Sequence, residues 1–213
     1  MGKIANGLLG HVTGKVGTVT TYVRNGENIV RSARSRSDRK VTPARTAQRE
    51  KIKVCNDFTR AFSGTGFFNK TFPAYSTGST GYNRATAAIM NLAITGNYPD
   101  TRLDYREVLV SQGPLPTPLN ATATADAESN IIFSWIDNSG NGTAKADDIV
   151  ILVAYFPELK QAVFSIGSAM RAECNARLKT EVLKGFVAET LVGFLSNDEK
   201  NASNSSYSGR VDL

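Results

Sequence analysis

The chain has few of the residues on which metal sites and nucleophilic catalytic sites depend. Its 213 residues include two cysteines and one histidine. Cys55 and Cys174 lack the short spacing of zinc ligands, so we interpret both as reduced thiols packed like small apolar residues. A three-histidine metal site is excluded, and any catalytic pair with histidine would have to use His11, in a glycine-rich segment. We therefore expect no catalytic residues, no metal ion and no cofactor, and we predict that the protein is not an enzyme.

Long hydrophobic runs are also missing. The opening residues, MGKIANGLLGHVTGKVG, contain no apolar run of the length found in secretion signals, and no later segment is long enough to span a membrane. We expect a protein that is made in the cytoplasm, carries no secretion signal and does not bind membranes.

Positive charge is abundant, and it is concentrated in the N-terminal part of the chain. Residues 1–60 contain thirteen lysines and arginines against four acidic residues, whereas residues 117–213 contain eight against twelve. Such a split favours either a polyanionic ligand or head-to-tail contact between like subunits. The residues that we predict to bind a partner are Arg24, Arg31, Arg34, Arg36, Arg39, Lys40, Arg45 and Arg49.

The identity of that partner is left open by the basic segment itself. Nine cations between residues 31 and 53 could neutralise several phosphates of a nucleic acid. The same stretch contains no Phe, Tyr or Trp, although nucleic-acid-binding modules usually combine cations with stacking aromatics or a recognition helix. We therefore favour a protein partner, keep nucleic acid as the alternative, and leave open a solvated surface without a partner.

The residues before 117 indicate a mixed, partly helical region. Asn25-Gly26 separates two β-rich runs and predicts a hairpin. Apolar spacing predicts helices over 43–62 and 83–95, with Pro43 at the first helical position. The segment FFNKTFPAYSTGSTGY between the helices is interpreted as an aromatic loop, and REVLVSQG (106–113) as a short strand.

From residue 117 onward, short apolar runs alternate with turn residues. Some six or seven strands are typical of an immunoglobulin- or fibronectin-III-like sandwich. Trp135 lies on an early central strand and is interpreted as a core residue. We predict an α+β fold with a Gly/Arg-rich arm and hairpin, two helices, and an antiparallel β-sandwich of this type. The predicted limits of these three parts are 1–41, 42–116 and 117–213.

Two short motifs resemble ligand-binding loops. Residues that match calcium-loop positions are Asp137, Ser139, Asn141, Gly142 and Asp148. Their flanks indicate strands rather than helices, so we interpret residues 137–148 as a polar hairpin loop and leave weak calcium binding open. The segment GHVTGKVG has the wrong glycine spacing for a phosphate loop and follows no hydrophobic strand.

Several segments together are similar to a small uncharacterised protein family that is associated with Bacteroidota and their mobile elements. The resemblance extends over nearly the whole chain and implies a similar domain layout, but no activity. The segments that carry it are NGLLGHVTGKVG, YVRNGENIVRS, TPARTAQREK, YPDTRLDYREVLVSQGPL, FSWID and SSYSGRVDL.

We predict a structural subunit of a larger complex, such as a phage-like virion, in which the basic arm contacts neighbouring copies. The partners would be other copies of the chain or other structural proteins of the particle. A nucleic-acid-binding accessory protein that uses the same arm is the alternative. A third hypothesis, a carbohydrate-binding sandwich, would use aromatic side chains among Tyr75, Tyr82, Tyr155 and Trp135.

Overall fold

The computed structural model describes residues 2–4, 13–24, 26–33, 41–73 and 79–213. The chain divides into two compact units, Met1–Thr42 and Pro43–Leu213.

The first unit is a small antiparallel sheet with the strand order β1-β4-β3-β2. Its strands are β1 (Gly2–Ile4), β2 (Gly14–Val16), β3 (Val19–Arg24) and β4 (Glu27–Ser32). The predicted hairpin is present, because β3 and β4 pair with Arg24 opposite Glu27 across the turn. Gly26 has a φ of 79°, a left-handed conformation that glycine adopts without strain, as this tight turn requires.

The second unit begins with its helices. They are α1 (Pro43–Thr59), α2 (Phe67–Thr71) and α3 (Gly81–Leu92), and short 3₁₀ helices cover Arg60–Phe62, Arg171–Glu173 and Glu181–Leu183. The helix predicted over 43–62 corresponds to α1 and the 3₁₀ turn that follows it. The second predicted helix begins at Gly81 rather than at residue 83, because the Thr80 side chain accepts a hydrogen bond from the Asn83 backbone nitrogen at 3.3 Å and caps it.

Two predictions are wrong, one for the segment between the two predicted helices and one for the segment between the second helix and residue 117. The aromatic loop contains α2, which buries Phe67 and Phe68 against the neighbouring aromatic rings. The segment 106–113 forms no strand, because its backbone groups bond to irregular partners: the Val110 nitrogen donates to the Ser205 hydroxyl at 2.9 Å. The buried valines of this segment are two residues apart, as on one face of a strand, but the segment pairs with no strand among the described residues.

The remaining strands of the second unit pair antiparallel throughout. A two-stranded ladder joins β5 (Ile94–Thr95) to β6 (Arg102–Leu103). The strands of the larger sheets are β7 (Leu119–Ala125), β8 (Ile131–Ile136), β9 (Ile149–Phe156), β10 (Gln161–Met170), β11 (Asn175–Leu178), β12 (Val187–Leu195) and β13 (Ser206–Asp212). One sheet has the order β10-β9-β12-β13 and the other the order β11-β8-β7.

In the second unit, the sheet β10-β9-β12-β13 separates two hydrophobic cores. Ile151 and Val153 of β9 join a cluster with the helical aromatics, including Phe58. Their neighbours Val150 and Leu152 point the other way and join a cluster with the three-stranded sheet. The second unit is therefore layered as helices, four-stranded sheet and three-stranded sheet, and its fold is β-rich α+β with antiparallel sheets.

Close packing between α2 and α3 predicts a strict requirement for glycine at position 81. A Cβ atom at Gly81 would overlap the carbonyl oxygen of Phe68. We expect Gly81→Ala to lower the free energy of unfolding by about 1–3 kcal/mol, since backbone must move to make room. Asn91→Ala, at an exposed position of the same helix, is the control. Equal denaturation midpoints for the two variants would contradict this packing.

Candidate functional site

The predicted partner-binding residues are divided between the two units. Arg24 and Arg31 are exposed on the hairpin of the first unit. The guanidinium carbon of Arg31 lies 5.5 Å from the centroid of the Tyr22 ring, a cation–π arrangement that covers the only aromatic residue of the hairpin. The predicted contacts Arg34, Arg36, Arg39 and Lys40 lie outside the described residues.

The two remaining cations, Arg45 and Arg49, belong to α1 and hence to the second unit. They are four residues apart, so they lie on the same face of the helix, and both are exposed. Arg49 and Arg60 border a shallow groove of about 260 Å³. Arg45 and Arg49 were predicted to bind the same partner as the arm, but the structure places them in the second unit.

This division changes the charge balance that the sequence indicated. Residues 1–42 contain eight lysines and arginines against two acidic residues, whereas residues 43–213 contain seventeen of each. The net charge of +6 therefore resides entirely in the first unit. The expectation of a basic arm on an acidic body gives way to a basic unit attached to a body with no net charge.

The described part of the first unit buries few side chains. Among its residues with described side chains, only Asn28 and Ile29 are buried. Val16 is 68% exposed and Val23 is 40% exposed. Small isolated sheets need a buried hydrophobic face for stability, and this one buries very little apolar surface within the described residues.

A cleft that the sequence did not predict lies on the second unit. Its volume is about 530 Å³, and its polar lining comes from four separate segments of the chain. The main lining residues are Arg102, Tyr105, Arg106, Glu189, Tyr207 and Arg210. Nothing in the sequence signals this cleft, because β6, β12 and β13 come together only through tertiary packing.

The floor of this arginine cleft is organised by one strong hydrogen bond. The Tyr207 hydroxyl donates to Glu189 Oε2 at 2.5 Å. Glu189 lies opposite Tyr155 in the β12–β9 ladder, so it is on the helix-facing side of the sheet. Burial raises the pKa of Tyr207 and is the largest cause of the shift. The hydrogen bond to Glu189 and the negative charge of Glu189 raise the pKa further. The phenol therefore remains a neutral donor.

Tyr105 supplies a second neutral hydroxyl to the cleft. Burial, and to a lesser degree the negative charge of Glu189, raise the pKa of Tyr105 to about 12. Its ring packs against Tyr155, with the ring centroids 5.8 Å apart. The cleft thus combines guanidinium groups, two neutral phenols and aromatic surface.

The segment 137–148 is polar, as predicted, but it is not a hairpin loop, because it connects β8 of one sheet to β9 of the other. The Asp137 carboxylate accepts hydrogen bonds from the backbone nitrogen and hydroxyl of Ser139, both at 2.9 Å. Asp148, at the last position of the calcium pattern, is 1% exposed and forms an ion pair with Arg171 at 2.9 Å. Its Oδ2 atom also accepts a hydrogen bond from the Lys145 backbone nitrogen at 3.0 Å, so the carboxylate is turned into the protein. Within the described residues, no group of three or more His, Cys, Asp and Glu could hold a metal ion.

Arg171, the first residue of a 3₁₀ helix, is the buried partner of Asp148. Its side chain is fully buried, and its guanidinium carbon lies 3.8 Å from the centroid of the Phe194 ring. It donates to Asn138 and to the carbonyl oxygen of Pro116. Burial lowers the pKa of Arg171, and Asp148 opposes that shift. These contacts tie the proline-rich segment to both sheets.

The aromatic residues of the carbohydrate hypothesis do not form an open platform. Trp135 is 4% exposed, as predicted for a core residue, and its indole nitrogen donates to the carbonyl oxygen of Arg171 at 2.7 Å. Tyr155 is 3% exposed. Tyr82 is half-buried and shares a hydrogen bond with Thr59, and Tyr75 lies outside the described residues.

Comparison with known proteins identifies the family but no activity. The chain belongs to a family of unknown function, DUF6266, whose family model matches residues 11–209. This confirms the resemblance to an uncharacterised family, while the association with Bacteroidota and mobile elements stays a prediction. No curated protein matches the chain. In the part of the chain that the structure describes, no helix has the length and apolar character needed to cross a membrane.

The buried ion pair predicts a large difference between two adjacent aspartates. Asp148→Ala leaves the Arg171 charge buried without its partner, so we expect the free energy of unfolding to fall by about 3–5 kcal/mol. Asp147→Ala removes an exposed carboxylate and should change the free energy of unfolding by less than about 0.5 kcal/mol. Urea denaturation of both variants measures the difference, and similar values would show that the pair contributes little.

The raised pKa of Tyr105 predicts a loss of stability in alkali. The unfolded phenol ionises near pH 10, while the folded one keeps its proton up to about pH 12, so the free energy of unfolding should fall between these values. Tyr105→Phe should make that fall shallower. Tyr98→Phe, which removes a phenol that is 51% exposed, is the matched control. Denaturation curves at several alkaline pH values measure the slopes, and identical slopes would contradict the assignment.

Proposed function

We propose that this protein is a non-enzymatic subunit of a larger assembly, such as a phage-like particle, and that its first unit contacts a neighbouring copy. One observation carries the proposal. The described side chains of residues 13–33 bury only Asn28 and Ile29, although the strands that hold them are paired and regular. A sheet that buries so little is stabilised when another surface covers it.

The composition of this sheet favours a protein surface as its cover. Val16 and Val23 are exposed apolar residues, which gain free energy when they leave water. Strands β1 and β2 lie at the two edges of this sheet, where outward-facing backbone groups could pair with a strand of a neighbouring chain. With no net charge on the second unit, these apolar and backbone contacts would contribute more than overall charge attraction.

Binding to nucleic acid is the second candidate, and a different observation favours it. The entire net charge of +6 is carried by residues 1–42, and such a unit would attract phosphates in a salt-dependent way. Against it stands the scarcity of stacking residues on the hairpin, where Tyr22 is the only aromatic residue and Arg31 lies over one face of its ring. The exposed valines also have no role in phosphate binding.

We also propose that the strands after residue 117 form a fibronectin-III-like sandwich. Support comes from the strand orders β11-β8-β7 and β10-β9-β12-β13 and from the cluster of apolar residues that joins the two sheets. Such a sandwich has sheets whose strand directions differ by about 30°. A crystal structure measures that angle, and a near-perpendicular crossing would contradict the proposal. A rigid sandwich would suit the role of a docking body in an assembly.

The assembly proposal predicts a defined oligomer whose formation depends on exposed apolar residues of the first unit. We expect light scattering of nuclease-treated protein to give a mass that is a multiple of 22.9 kDa. Val16→Asp with Val23→Asp should reduce that mass to one copy, because two charges would have to be buried at the contact. The matched control is Val182→Asp, since Val182 is 90% exposed in the second unit.

The same samples test nucleic-acid binding. If apolar residues contribute most of the contact between copies, the double variant Arg24→Gln and Arg31→Gln should still form the oligomer. If the wild-type chain is monomeric at high concentration and binds arbitrary DNA or RNA with an affinity that falls steeply with salt, the nucleic-acid function replaces the assembly function.

A further inference from the structure

The arginine cleft of the second unit has the features of a ligand site that is independent of the proposed assembly role. Arg102 belongs to β6, Arg106 to the turn that follows it, and Arg210 to β13. All three side chains are exposed. Three arginines from three elements thus line one concave surface.

The cleft is lined by three arginines and two acidic residues, so the arginines are in excess by one. Among the described residues, Arg102 and Arg106 make no ion pair, and Arg210 approaches Asp212 only at 3.9 Å between exposed side chains. The cleft contains two carboxylates, and both are engaged. Asp104 Oδ1 accepts a hydrogen bond from the backbone nitrogen of Arg106 at 3.1 Å, and Glu189 accepts the Tyr207 hydroxyl.

The rest of the cleft could hold the body of a ligand. Its volume of about 530 Å³ lies in the range of small-molecule sites. Tyr105, Tyr207 and Leu103 offer apolar surface, and the Tyr105 hydroxyl has no hydrogen-bond partner among the described residues. An arginine presents planar pairs of N–H donors that match the oxygen atoms of phosphate and carboxylate groups.

We propose that this cleft binds a small anionic ligand, whose phosphate or carboxylate groups lie between Arg102, Arg106 and Arg210 and whose body packs on Tyr105 and Tyr207. The Tyr207–Glu189 hydrogen bond positions the aromatic floor. The Tyr105 hydroxyl donates to the ligand. Because salt screens the electrostatic attraction between the arginines and the anion, the affinity falls as the salt concentration rises.

Calorimetric titration of the full-length protein with pyrophosphate and, separately, with citrate tests this site at low ionic strength. We expect saturable binding of at least one of the two anions at one site per chain. Arg106→Gln and Arg210→Gln should each weaken that binding about tenfold or more, since each removes charge-assisted hydrogen bonds. Both residues are exposed, so both variants are expected to fold. Lys179→Gln, which removes an exposed cation from another part of the second unit, is the control.

The two probes separate the sources of the anion. Binding of pyrophosphate alone assigns the cleft to phosphorylated ligands, and binding of citrate alone assigns it to polycarboxylates. Binding of neither anion overturns the proposal. It is equally overturned if both arginine variants bind as tightly as the Lys179→Gln control, because the anion would then be held elsewhere. None of these outcomes depends on whether the first unit drives assembly.

Discussion

The fold of the second unit depends on the need to cover both faces of one strand. β9 has the sequence IVILVAYF, and all but the first of its residues are buried. Alternate side chains of a strand point to opposite faces, so an apolar residue at every position requires a protein layer on each side. The helices supply one layer and the three-stranded sheet the other. The order of layers follows from this requirement.

The arginine cleft is a consequence of how far the helical layer extends. Phe58 and Tyr155 are in contact, with ring centroids 4.7 Å apart, so the helices cover the sheet up to this point. Beyond it, the same face of the sheet carries Glu189 and Tyr207, which are polar and half-exposed. The candidate ligand site therefore lies where the packing of the core ends and polar side chains from separate strands remain accessible.

The two units differ in what stabilises them. The second unit has two hydrophobic cores and a buried ion pair between Arg171 and Asp148. The first has regular strands, excess positive charge and little buried apolar area among its described residues. The buried Arg171 also donates to the carbonyl oxygen of Pro116 and so holds the proline-rich segment against the sheets. Assembly through the first unit would supply what that unit lacks.

The sequence by itself determined those features that depend on local chemistry. Asn25-Gly26 specified the hairpin, Pro43 marked the start of α1, and the alternating runs after residue 117 specified antiparallel strands. Features that depend on contacts between distant residues were decided only by the tertiary structure. Val108 and Val110 have a strand-like pattern, yet Ser205 takes the place of a ladder partner. Arg171 is buried because Asp148 and Asn138 are brought to it, and the residues of the cleft meet because β6, β12 and β13 converge. Local patterns indicate which face of an element is apolar, but not which distant side chains will meet there.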